Sequence, residues 1–189
     1  PKEIFMLSIV KSMTLHGLEG FIVDVQVDVA GGLPCWEIVG LPDVSIRESK
    51  ERVRTAIKNS GYEFPSRRIV INLAPATIKK VGSAFDLPIA VAILLATDNI
   101  NEFDFENVAF VGELSLDGNV HSINGILPMC IEAKKLGIKK IIVPKENAKE
   151  ASIVDGISVI PVSSLNQVVA YLNKSIKINP EKFNSNELI

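Results

Sequence analysis

Two amines, a hydroxyl and a carboxylate fall within eight residues at Lys79, Lys80, Ser83 and Asp86, inside the string INLAPATIKKVGSAFDLPIAVAILLA that runs from Ile71 to Ala96. Any covalent chemistry in the chain belongs at this turn. A His-dependent nucleophile would need His16 or His121 carried next to Ser83 or Cys130, since a hydroxyl or thiol is activated only by a base within hydrogen-bond reach. Nothing in the spacing of these residues asks for that. The structural expectation for Asp86 is a helix N-cap, with Gly82 making the turn before it. A carboxylate there accepts from the unpaired N–H groups of the first turn and meets the positive end of the helix dipole.

Other chemistries lack their residues. GxxxxGK[ST] and GxGxxG are absent, and the nearest approach, Gly112 to Gly118, has no lysine, so this segment is not expected to hydrolyse ATP. No HxxxH, HExxH or CxxC spacing occurs, and no metal site is expected. Asp24 and Asp28 read as one wet face of a strand, where carboxylates four residues apart stand too far from each other to share a metal.

The turn must be held by the elements around it. Ile69, Val70 and Ile71 make a β-branched run that Pro75 closes, because proline has no N–H for a ladder. From Ala84 to Ala96 aliphatic residues occupy nearly every face, which predicts a helix buried all round, with Pro88 tolerated in its first turn. Upstream, Ser8–Leu15 and Phe21–Val29 read as strands joined through Gly17–Gly20, and Trp36–Val39 as a third, together an antiparallel meander. A helix is predicted from Val44 to Asn59, capped by Asp43 and ended at Gly61. Downstream, two short strands surround the Asp117–Gly118 turn. Then come a helix at Ile126–Leu136, a strand at Lys140–Val143, a short helix at Asn147–Ala151, a strand at Val159–Pro161 and a helix at Ser164–Asn173. The order predicts an α+β two-layer domain over 6–173, with 1–5 a cloning remnant or disordered lead and 174–189 a linker.

Charge is local rather than global. Between Arg47 and Lys80 nine basic residues (Arg47, Lys50, Arg52, Arg54, Lys58, Arg67, Arg68, Lys79, Lys80) face three acidic ones, in a chain whose formal net charge is −2. Arginine-rich faces suit phosphates, and a solvated helix with internal ion pairs reads the same way. No aromatic residues are interleaved with the cations of the predicted helix itself, which argues against stacking of single-stranded bases. The two cysteines, Cys35 and Cys130, have no metal spacing and are expected to be buried thiols of a reducing, cytoplasmic compartment. No apolar run long enough to span a bilayer is present, and no membrane partner is expected.

The ordered strings GLPCWEIVGLPD, RVRTAIKNSGYEFPSRRIVINLAPA, GSAFDLPIA, VGELSLDGNV, GILP and IIVP resemble, over nearly all of residues 6–174, the N-terminal domain of magnesium-chelatase-like AAA+ ATPases of the ComM/YifB type. That region is in turn similar to the Lon protease C-terminal domain, of the ribosomal protein S5 domain 2-like fold, and to the related domain of RadA. In Lon a serine in a GPSAG turn is the nucleophile and a lysine in a GGLKEK turn is its base. Matching helix starts puts the serine position on Ala84 or Phe85 and the lysine position on Leu127, so the resemblance implies that both catalytic groups are replaced. The rival reading keeps a shifted dyad, with Ser83 as nucleophile and Lys79 or Lys80 nearby.

What the resemblance implies is a non-catalytic domain of a hexameric motor that drives DNA branch migration in recombination and transformation. ATP and Mg would belong to an ATPase module beyond residue 189, and this fragment would carry no cofactor. The partners expected are other copies of the chain, in a ring, and DNA. The candidate DNA contacts are Arg47, Lys50, Arg52, Arg54, Lys58, Arg67 and Arg68. A plain protein-interaction module is the third reading.

Overall fold

The computed structural model describes residues 6–101 and 103–188, so the lead 1–5 lies outside the described residues. In chain order the elements are β1 (Met6–His16), β2 (Glu19–Ala30), β3 (Cys35–Val39), α1 (Val44–Asn59), β4 (Arg68–Ala74), α2 (Asp86–Ala96), β5 (Val108–Phe110), β6 (Glu113–Leu114), β7 (Val120–His121), α3 (Ile126–Lys135), β8 (Lys140–Pro144), α4 (Lys145–Ala151), β9 (Ser158–Val162) and α5 (Leu165–Leu172). Seven strands form one sheet in the order β3-β4-β2-β1-β5-β8-β9, and β6 and β7 make a separate hairpin.

β1 and β2 pair antiparallel from Met6↔Val29 to His16↔Glu19. The predicted meander stops there. β3 does not lie beside β2 but pairs parallel with β4, which inserts between them and runs antiparallel to β2. The reason is α1, which carries the chain across the sheet between β3 and β4, as a parallel pair requires. A second difference is β5, which the short-strand reading merges with the hairpin. It joins the main sheet parallel to β1 and β8, and β9 continues the parallel run.

α2 packs on β1 and β2 beneath α1, and all its residues but Leu95 are buried. Its lining includes the inward valines Val23, Val25, Val27 and Val29 of β2 and Ile69, Ile71 and Leu73 of β4. Ser8 of β1 faces the same way and donates to the Ala92 carbonyl at 2.6 Å, so even the polar residue there is satisfied. Over β3, β4 and most of β2 the fold has two layers. From β1 and the near end of β2 to β9 a third is added, because α3 covers the opposite face of β1 and β2 and α4 that of β8 and β9, through Met13, Ala109, Ile141, Val143 and Val159. This is the mixed α/β, Lon-like architecture.

The segment read as a linker stays on the domain well past Asn173. Ile178 packs against the main core and the Glu181 N–H donates to the Val159 carbonyl at 2.8 Å. Near the end, Ser185–Leu188 makes a 3₁₀ turn.

Gly40, between β3 and α1, has φ +101, and a Cβ built there would lie 2.2 Å from the Leu73 carbonyl oxygen. Gly40→Ala is therefore expected to cost more than about 2 kcal/mol, from backbone strain and steric overlap together. Urea unfolding measures it.

Candidate functional site

Residues 82–86 form a turn wired from three directions. Asp43 accepts from the Ile46 N–H at 2.8 Å, capping α1 as its sequence predicts, and its second oxygen accepts from the Gly82 N–H at 3.0 Å. The first α2 donors are also occupied: the Asp86 N–H by the Ser83 carbonyl and the Leu87 N–H by the Gly112 carbonyl. The Asp86 side chain is thus not the cap of α2. It sits wholly buried and accepts from Arg52 Nε at 2.8 Å, Arg52 Nη2 at 3.1 Å and the Leu114 N–H at 3.1 Å. Burial pushes its pKa up to about 6, against the pull of Arg52 and the Leu114 N–H. The hydrogen bond to Asp86 holds the Arg52 guanidinium above its usual value.

Ser83 and the lysines do not meet. Ser83 Oγ donates to Glu113 Oε2 at 2.7 Å. Lys80 is completely buried and its Nζ donates to the Gly40 carbonyl at 2.8 Å and to the Pro75 carbonyl. Burial lowers its pKa. Backbone bonds between Asp43 N and Lys80 O, and Lys80 N and Leu41 O, stitch the same two loops together. Lys79 is exposed. No hydrogen bond joins either lysine to Ser83 among the described residues. A serine whose only side-chain partner among the described residues is a carboxylate on β6 has an acceptor for its hydrogen bond, but that carboxylate shares its surroundings with Asp86 and Arg52.

The positions matched to the Lon nucleophile and base are apolar. Ala84 joins the cluster that holds Met13, Ile126 and Met129, whereas Phe85 points into the core beneath α1 and α2. Leu127 follows Ile126 at the start of α3 and lines a shallow apolar hollow of about 490 Å³ with Ile131, Ile153 and Val154.

The histidine-bearing hairpin contains the three residue types of a triad in the wrong order. His121 Nε2 lies 2.9 Å from Ser115 Oγ, and that hydroxyl donates to Asp117. Asp117 accepts the serine's hydrogen bond rather than orienting the imidazole, so the hydroxyl's proton is directed away from His121. The Ser115 and Asn119 hydrogen bonds hold Asp117 below the usual carboxylate range. Cys130 is buried, and its thiol is pushed up to about 12 by burial. Cys35, expected inside, is exposed, because its strand alternates and Trp36 and Ile38 take the inward positions.

The cations divide into three groups. Arg47, Lys50, Arg54 and Lys58 recur every three or four residues along α1 and make one outward stripe. Arg67 approaches Arg54 and Lys58 from the loop before β4, where the three line one hollow. Arg52 is withdrawn: its Nε is given to Asp86 and its Nη2 is shared between Asp86 and the Ser45 carbonyl. Arg68 alternates with buried Ile69 and emerges on the other side of the sheet, paired in register with Cys35. The absence of aromatics near these cations, inferred from linear sequence, is overturned. Trp36 and Phe64 pack edge to face with centroids 5.3 Å apart, and the Arg54 guanidinium lies 5.7 Å from the Phe64 ring. Sequence reasoning also passes over Glu113, whose only signal is its place in VGELSLDGNV.

No helix among the described residues is long and apolar enough to cross a membrane. Comparison with known proteins bears on the same elements. The chain is 37% identical over 172 residues to competence protein ComM of Haemophilus influenzae, covering 91% of this chain and 34% of that protein. Protein YifB of Escherichia coli is 40% identical over 166 residues, covering 88% of this chain and 33% of YifB. Lon protease 2 of Bacillus subtilis is 30% identical over 193 residues, covering 92% and 34%. The chain thus spans about a third of the length of these relatives. Residues 25–147, from within β2 into α4 and including α1, the wired turn and the hairpin, match the profile of the family described as "Subunit ChlI of Mg-chelatase". With that match over most of its elements, the chain belongs to the Mg-chelatase subunit ChlI family.

Proposed function

We propose that this chain is the non-catalytic N-terminal domain of a ComM/YifB-type AAA+ ATPase, serving assembly of a hexameric ring, contact with DNA, or both, during ATP-driven branch migration. ATP and Mg belong to the rest of that protein, and the setting is the cytoplasm. The observation that carries the reading is the wiring of the turn. Ser83 is held by Glu113 and the Lys80 amine is spent on two backbone carbonyls, while the resemblance matches Ala84 or Phe85, and Leu127, to the nucleophile and base of Lon-type proteolysis. A serine paired with a weakly basic carboxylate, and with no amine in reach, gives little acyl transfer of the Lon type. The outward stripe on α1 supports DNA as the partner, since phosphate contacts rest on arginine and lysine.

A fluorophosphonate probe together with an unfolded protein substrate tests the non-catalytic part. The expected result is no labelling of Ser83 and no cleavage. Labelling at Ser83, or cleavage abolished by Ser83→Ala, would establish the Ser-Lys peptidase instead. Sedimentation of the chain alone reads its share in ring formation.

A further inference from the structure

Between β3, α1 and the loop before β4 lies a hollow of about 260 Å³ whose wall includes Trp36, Arg54, Lys58, Phe64, Ser66 and Arg67, and no carboxylate. Among the described residues, no acidic group comes within ion-pair distance of Arg54, Lys58 or Arg67. Three cations that line one hollow with no carboxylate in its wall and none ion-paired to them repel one another, and an anion seated among them relieves that repulsion. Guanidinium forks favour phosphate, which they bind through paired N–H donors.

The rest of the wall adds an apolar requirement. Trp36 and Phe64 are half-buried rings in edge-to-face contact. Inorganic phosphate would leave that surface unused, whereas a ligand carrying a flat heteroaromatic ring beside its phosphate would cover the exposed part of it. A second hollow of about 850 Å³ opens on the other side of the same loop, sharing Lys58 and Phe64–Arg67 and adding Tyr62, Glu63, Asp98 and Asn99. Its two carboxylates disfavour phosphate there and leave the polar edge of a base or a sugar hydroxyl as suitable occupants. The charge pattern therefore orients a ligand: phosphate toward Trp36 and the three cations, uncharged parts along the loop.

We propose that this hollow binds a nucleoside 5′-phosphate unit, either free or within a single strand, with its phosphate on Arg54, Lys58 and Arg67 and its base against Trp36 and Phe64. The site rests on the reading of this face as a nucleic-acid contact and sharpens it from a stripe of charges to a place for one nucleotide.

Trp36 is the only tryptophan in the chain, so its emission reports directly on the hollow. The chain is titrated at low salt with thymidine 5′-monophosphate, with an oligothymidylate and with inorganic phosphate. Saturable quenching by the first two is expected. Arg67→Glu should weaken it roughly tenfold or more and Phe64→Leu roughly fivefold or more, with circular dichroism confirming both folds, while Lys139→Glu leaves it unchanged. Equal affinity for the two nucleotide ligands identifies a free nucleotide. Tighter binding of the oligomer by more than about tenfold identifies a strand. Unaltered Trp36 emission with both would overturn the proposal, as would inorganic phosphate matching the monophosphate with Phe64→Leu without effect. The wider DNA reading fails separately: mononucleotide binding with no DNA affinity in the full-length protein would remove it and leave this site standing.

Discussion

Arg52→Met is expected to destabilise the folded chain by about 3–5 kcal/mol, because it strands the Asp86 carboxylate in the core. The Arg52 side chain is 21% exposed and that of Asp86 is 0% exposed, and the pair is bidentate. Without the guanidinium, only the Leu114 N–H remains to Asp86 among the partners described. A loss of that size lowers the melting temperature by roughly 10 °C in a domain of this length. Arg52→Met with Asp86→Leu should recover most of it, since replacing both ions by apolar groups removes the desolvation cost along with the attraction. The sign of the pH dependence follows from Asp86. Its folded pKa of about 6 lies above the reference 3.8, so the folded chain holds the proton more tightly, and this group's contribution to stability rises as pH falls through 6 toward 4. The charged carboxylate needs Arg52 only above that window. Losing Arg52 raises the Asp86 pKa further, so the cost of Arg52→Met is largest well above pH 6, shrinks as pH falls toward 6 and stays small below it. Urea unfolding at pH 7.5 and 5 reads the difference.

The second large effect concerns DNA. Arg54→Glu combined with Arg67→Glu in the full-length protein is expected to weaken DNA binding by roughly 10- to 100-fold at low salt. The dependence of log affinity on log salt should flatten by about 0.7–0.9 for each phosphate that the protein no longer neutralises. Arg52, a reasonable member of that set from its sequence position, is unsuited to the test. Its reversal would place a carboxylate against buried Asp86 and report on folding.

How far the sequence can be read depends on whether the deciding interaction is local. Asp43 capping α1 and the all-round burial of α2 rest on spacings of a few residues, and these are legible. Strand order is not. The insertion of β4 between β3 and β2 turns on where α1 crosses, and strand alternation carries no partner identity. At the turn, Asp86 looks like a cap because carboxylates at helix starts commonly are. Its long-range partner Arg52 lies 34 residues away, and the Gly112 and Ser83 carbonyls already take the donors. Lys80 reads as a surface amine beside Lys79, yet one is buried and the other exposed, which only the approach of Gly40 and Pro75 explains. The aromatic neighbours of Arg54 are invisible for the same reason: Trp36 is 18 positions before it and Phe64 ten after. The resemblance to Lon supplies the place to look, while the residues at that place supply the reading.

The turn at 82–86 is thus the structural centre of the domain, and the surface proposed here for DNA contact is the cationic face made by α1 and the loop before β4. The deciding measurement is the DNA affinity of the full-length protein at one low salt concentration, compared between Ser83→Ala and Arg54→Glu with Arg67→Glu. Ser83→Ala is expected to bind as the parent does, and the double reversal to lose at least about tenfold. Equal affinity in the double reversal and the parent, or a loss confined to Ser83→Ala, would contradict this division between structural centre and proposed DNA surface.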